Sequence, residues 1–115
     1  MPRAKRGFKA RRRRNRILQH ARGFYGARSR IYGDAVEQVR RAWREAYIGR
    51  RRKKRDFRRL WIIRINAAAR QHGLTYSQLM HRLKQSDVAL DRKILADLAL
   101  RDPGGFKAVV DAIGG

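Results

Sequence analysis

Six consecutive cations, Arg50 to Arg55, run within a few residues into Leu60, Trp61, Ile62, Ile63 and Ile65, the densest apolar stretch of the chain. A run of cations is stable away from water only beside a polyanion, because isolated charge is strongly hydrated. An apolar run of this density left in water forgoes the main driving force for folding. The chain therefore needs an anionic partner for the first part and a core for the second. Residues upstream resemble the cationic part, and residues downstream resemble the apolar part.

The charge balance sharpens this division. Of 115 residues, 31 are Lys or Arg and 9 are Asp or Glu, a net charge of +22. Residues 1–60 hold 23 cations and 4 acids, whereas residues 61–115 hold 8 and 5. Self-repulsion on this scale calls for a polyanion, with nucleic acid ahead of an anionic membrane surface. Arg supplies 24 of the cations, and its planar fork suits bidentate phosphate contact and stacking on bases. The pattern reads as a basic arm, residues 1–59, attached to a nearly neutral domain, residues 60–115.

Other classes are disfavoured. Without cysteine there are no disulfides or thiolate metal sites. No apolar run approaches the roughly 20 residues of a membrane span, so no membrane partner is expected. The arginine-rich start lacks the apolar segment of a secretory signal, and Ser29 is the sole serine before Ser77, unlike a transit peptide. The first residues are expected to be working protein.

The expected fold is all-α, a small C-terminal helical domain preceded by a long, strongly basic, mostly helical extension. Residues 1–16 carry nine cations and no acid; they bury too little to offset ordering entropy and are expected to be disordered alone, with one or two helical turns over 11–21. Gly23 and Gly26 bracket Phe24 and Tyr25, where the backbone can bend. Asp34 with Glu37 resembles a capping box opening a helix over 35–71, and Tyr32, Val36, Val39, Trp43 and Tyr47 mark its first apolar face. Such a helix is about 55 Å long, so its N-terminal half is expected to protrude or to bend at Gly49. Residues 1 to about 55 are expected to fray without a partner. Thr75 with Gln78, then Asp91, then Asp102 before Pro103 announce three more helices. A core of this size is marginal, since domains below about 70 residues rarely gain more than ~3–5 kcal/mol from packing.

On the long helix, Phe57, Leu60, Trp61, Ile65 and Ala68 spread over a face expected to be core. Arg52, Arg55, Arg59, Asn66 and Arg70 form a polar stripe. A solvated face is the plain alternative, but continuity with the cation run favours nucleic acid. Uncharged Asn66 suits bases or riboses, while the arginines hold phosphate. Phe24 and Tyr25 read equally as a small protein anchor or as nucleotide contacts. The candidate nucleic-acid contacts, to RNA or DNA, are thus Arg3, Lys5, Arg6, Lys9, Arg11, Arg12, Arg13, Arg14 and Arg16 at the start. Arg22, Phe24, Tyr25, Arg28 and Arg30 follow around the glycine pair. Arg50, Arg51, Arg52, Lys53, Lys54, Arg55, Arg58, Arg59, Asn66 and Arg70 complete the set on the long helix.

No catalytic constellation emerges. His20, His72 and His81 lack ligand spacing, no carboxylate pair is singled out for acid–base work, and no phosphate-loop glycine pattern occurs. No cofactor or metal is expected. A DNA-reading helix-turn-helix over 76–85 and 92–101 is disfavoured, because such motifs use turns of 3–4 residues. A general DNA-coating protein is the competing class.

The segment Lys54 to Arg70, KRDFRRLWIIRINAAAR, strongly resembles the signature of the bacterial ribosomal protein L20 family. The likeness covers nearly the whole chain, from PRAKRG through FYGARSR to TYSQLMHRLK and DRKILADLA. The resemblance implies a structural protein that binds large-subunit ribosomal RNA directly and supports early subunit assembly, with no part in peptidyl transfer. It implies an extension threaded through RNA and a globular domain on the subunit surface. Neighbouring ribosomal proteins are implied partners, and in some bacteria so is the protein's own messenger RNA. The implied location is the ribosome, in the cytoplasm, or in the plastid stroma for a plastid-encoded chain.

Overall fold

A computed structural model of the chain describes residues 2–114. Five α-helices follow one another: α1 (Lys9–His20), α2 (Tyr32–Gln71), α3 (Tyr76–Gln85), α4 (Arg92–Arg101) and α5 (Pro103–Gly114). A short 3-10 turn at Gly26–Ser29 lies between α1 and α2, and no strand occurs among the described residues. The chain divides into two compact units, the first ending at Arg51 and the second beginning at Arg52. The long helix α2 belongs to both.

The first unit has a small core of its own. Ala21, Ala35 and Val39 are buried, with Ile17, Leu18 and Phe24 packed against them. This cluster explains why α1 runs for 12 residues where disorder and one or two turns are expected from composition. The stabilising side chains sit at the C-terminal end of α1 and just beyond it. They act by packing against α2, not through intrinsic propensity. Gly23 and Gly26 take positive φ, 85° and 60°, and turn the chain between the two helices as expected.

The start of α2 also departs from expectation. The Ala35 N–H donates to the Ile31 carbonyl at 2.9 Å, so helical bonding begins at Ile31 and the helix at Tyr32. Asp34 therefore lies within the first turn instead of capping it. There its carboxylate still faces the positive end of the helix dipole. The helix continues through Gly49 without interruption.

In the second unit the C-terminal part of α2 and the three short helices share one core, built on Ile65, Leu79, Leu95 and Phe106, each at most 1% exposed. Burying one side chain of this size stabilises by about 1.5–3 kcal/mol. The end of α2 is set by Gly73, at φ 76°. Leu74 N–H donates to the Ala69 carbonyl at 3.0 Å and Gly73 N–H to that of Arg70 at 3.1 Å, the paired bonds of a Schellman stop. The expected starts of the next helices are all present. Thr75 and Gln78 cap each other's backbone, Asp91 accepts from Ile94 N–H at 2.8 Å, and Asp102 from Gly105 N–H at 2.9 Å.

The expected apolar face of α2 is only partly core. Ile65 is buried, and Trp61 and Ala68 are half-buried against the cluster, but Phe57 and Leu60 are 45% and 37% exposed. The short helices cover α2 from Trp61 onward, so apolar period alone overestimates the core by a full turn at its N-terminal edge.

Candidate nucleic-acid interface

Every cationic candidate named from the sequence is exposed. Arg3, Lys5 and Arg6 precede α1. Lys9, Arg11–Arg14 and Arg16 ride on it, and Arg22, Arg28 and Arg30 flank the glycine turn. Arg50–Arg55, Arg58, Arg59 and Arg70 project from α2. Among the described residues the one ion pair joins Arg101 to Asp97, at 3.1 Å. None of the candidates is therefore neutralised by the protein's own carboxylates.

The charge along α2 works against the helix that carries it. Residues four apart are neighbours on a helix surface, so Arg50 faces Lys54, Arg51 faces Arg55, Lys54 faces Arg58 and Arg55 faces Arg59. Each such like-charged pair destabilises by roughly 0.2–0.5 kcal/mol. A polyanion beside the segment would screen these repulsions and add attractions of its own.

The two aromatic candidates part ways. Phe24 packs on the small core of the first unit, which makes it an anchor within the protein. Tyr25 is 91% exposed and lines a shallow depression of about 320 Å³ with Arg28 and Arg41. The ring that projects is the one left for a partner.

Asn66 is half-buried, and its Oδ1 is already engaged. It accepts the backbone N–H of Tyr76 at 3.3 Å and Arg70 Nε–H at 3.4 Å. The first bond ties α2 to the start of α3. The accepting side of the amide is therefore structural, which leaves only its NH2 for a partner. The stripe expected from the helical wheel is uniform in polarity but not in role.

The fold also gathers cations that sequence reading leaves out. Arg40 and Arg41, adjacent, and Arg44 lie on α2 outside the long cation runs, and their local sequence marks them only weakly. Arg40 lines a groove of about 510 Å³ with Arg12, Arg13 and Arg16 of α1, and with Tyr32 and Trp43. A signal was present in the spacing, since Val36, Arg40 and Trp43 recur at steps of four and three on one helix face.

His20 meets the ring of Trp43, centroids 5.4 Å apart, and His72 stacks on Phe106 at 6.0 Å. Among the described residues no group of three or more histidines or acids converges as a metal site would. No helix there is long and apolar enough to cross a membrane.

A helical chain whose exposed arginines, Arg101 apart, have no carboxylate partner among the described residues, and in which no group of histidines and acids converges there, belongs with the basic structural components of nucleoprotein assemblies. Comparison with known proteins makes this specific. The profile of the family described as Ribosomal protein L20 matches residues 3–109. The large ribosomal subunit protein bL20 of Syntrophotalea carbinolica is 61% identical over 111 residues, covering 96% of this chain and 94% of the relative. That of Geobacter sulfurreducens is 61% identical, covering 95% and 93%, and that of Sorangium cellulosum is 59% identical, covering 95% and 92%. The chain belongs to the ribosomal protein L20 family, whose members are structural, non-enzymatic components of the ribosome.

Proposed function

We propose that this protein binds large-subunit ribosomal RNA directly and supports early assembly of the large subunit, as an architectural component without a role in peptidyl transfer. The observation that carries the reading is the run Arg50–Arg55, exposed throughout with no carboxylate partner among the described residues. In this reading residues 1–59 neutralise phosphates where RNA segments converge, and residues 60–115 fix where that arm enters. The relatives' names support the large subunit as the site of action. Neighbouring ribosomal proteins are further partners, and the face carrying Val36, Trp43 and Tyr47, the last two exposed, offers a contact surface for RNA or protein. The domain that selects one RNA junction also suits a second RNA of similar shape, and the chain's own messenger RNA is proposed for that place.

The test is a division of labour. A fragment of residues 1–59 should bind RNA with steep salt dependence and poor selectivity. Each phosphate contact adds a slope of about −0.7 on single strands to −0.9 on duplex DNA in log affinity against log salt. A fragment of residues 57–115, which holds its own core, should select a ribosomal RNA junction with a shallower slope. Equal selectivity from both fragments would sink the division. Competition at physiological salt between structured ribosomal RNA and duplex DNA separates this role from general DNA coating.

A further inference from the structure

We propose that the groove between α1 and α2 holds one unpaired nucleotide of the bound RNA, its base against Trp43 and its phosphates on Arg12, Arg13, Arg16 and Arg40. This rests on the RNA-binding reading above and adds a chemical preference to it. The groove encloses about 510 Å³, within the range of about 300–1,000 Å³ typical of small-ligand sites. Its charged lining is wholly cationic, so it attracts anions and offers them no repulsion.

The rings around it decide what kind of anion fits. Arg12 already lies over Phe8, 4.1 Å from the ring centroid, and Arg14 is 5.9 Å from that of Tyr32. Trp43 lines the groove, is 49% exposed, and meets His20 at an interplanar angle of 78°, edge to face. Phe8 also lines the groove and is 59% exposed, but Arg12 already covers its ring, whereas no cation is stacked on the indole of Trp43 among the described residues. A paired duplex hides its base faces in the stack, whereas an unpaired nucleotide brings both a π face and a phosphate. An acidic peptide would satisfy the arginines but leave the indole without a planar partner. Trp43 and the four arginines together describe a stacked nucleotide.

The experiment uses the full chain and two RNA hairpins with the same stem, one fully paired and one carrying a single bulged 2-aminopurine. Affinity is measured at physiological salt, alongside tryptophan and 2-aminopurine fluorescence. The bulged hairpin should bind roughly fivefold tighter or more, the scale of one base–aromatic stack, with quenching of both fluorophores. Trp43→Leu keeps helix propensity but removes the π face. It should bind the paired hairpin as before and lose the preference. Trp43→Phe should keep most of the preference and lose the tryptophan quench, which assigns that signal to Trp43 and not Trp61. Equal affinity for the two hairpins, or a preference that survives Trp43→Leu, overturns the proposal while leaving RNA binding intact. So does equal tryptophan quenching by poly-glutamate, which would make the groove a general acidic-chain site. Failure to bind either hairpin would overturn the RNA-binding reading itself, and the groove proposal with it.

Discussion

The Oδ1 of Asn66 accepts the backbone N–H of Tyr76 at 3.3 Å, so a residue on the polar stripe of α2 proposed to face RNA also holds the first residue of α3. Asn66→Ala should therefore destabilise the second unit by about 1 kcal/mol, the usual net value of such a bond. Arg59→Ala and Arg70→Ala should leave stability within about 0.5 kcal/mol, as exposed surface changes do, while weakening RNA binding. Urea unfolding of each single variant, paired with an RNA titration, separates the two behaviours. A stable Asn66→Ala protein would mean that the bond contributes nothing to the fold.

The cation run offers a quantitative check. Replacing Arg50, Arg51, Arg52, Lys53, Lys54 and Arg55 by Gln should flatten the salt slope of RNA binding by about 4 to 5 if all six touch phosphate. Helix content should not fall, since the like-charged neighbours along α2 are relieved by the change. Circular dichroism reports the second outcome and a salt titration the first.

Gly73 at φ 76° sits where an L side chain is strained by roughly 1–2 kcal/mol. Its position has open space around it, so Gly73→Ala isolates the backbone term. The expected loss in unfolding free energy is of that size, with RNA selectivity unchanged in the folded protein. Gly105 is the opposite case. A Cβ there would come within 2.5 Å of Asp102 Oδ2, so Gly105→Ala should displace the carboxylate that caps α5 and destabilise through lost capping, about 0.5–2 kcal/mol.

Ile65 is fully buried among the helices of the second unit. Truncating a buried Ile to Ala costs about 2–5 kcal/mol, comparable with everything a core of this size supplies. Ile65→Ala should abolish the cooperative unfolding of residues 52–114 while the Ala21–Ala35–Val39 cluster persists. Residue-resolved NMR of the free protein would show the loss confined to the second unit.

What the sequence makes legible follows from how local each cause is. The capping residues Thr75, Asp91 and Asp102 and the stop at Gly73 act within a few residues, and the helices they delimit are readable directly. Period places Phe57 and Leu60 in the core because it marks an apolar face but not how far its neighbours reach along it. Composition gives too short an α1 because the support of that helix comes from Ala35 and Val39, more than a dozen residues on. Among interface residues, the consecutive cations announce themselves, whereas Arg40 joins Arg12, Arg13 and Arg16 only once α1 folds against α2. The double duty of Asn66 is invisible until α3 is in place.

Gly49 through Leu60 form twelve consecutive positions of α2 with no buried side chain. The helix is thus anchored by one core near Val39 and by another near Ile65, and by neither in between. Amide hydrogens of that middle stretch should trade with solvent deuterium well before those of the anchored turns, because opening them breaks no packing. A bound polyanion would slow that trade selectively, leaving a footprint of the RNA on the one part of the helix that the protein itself does not hold.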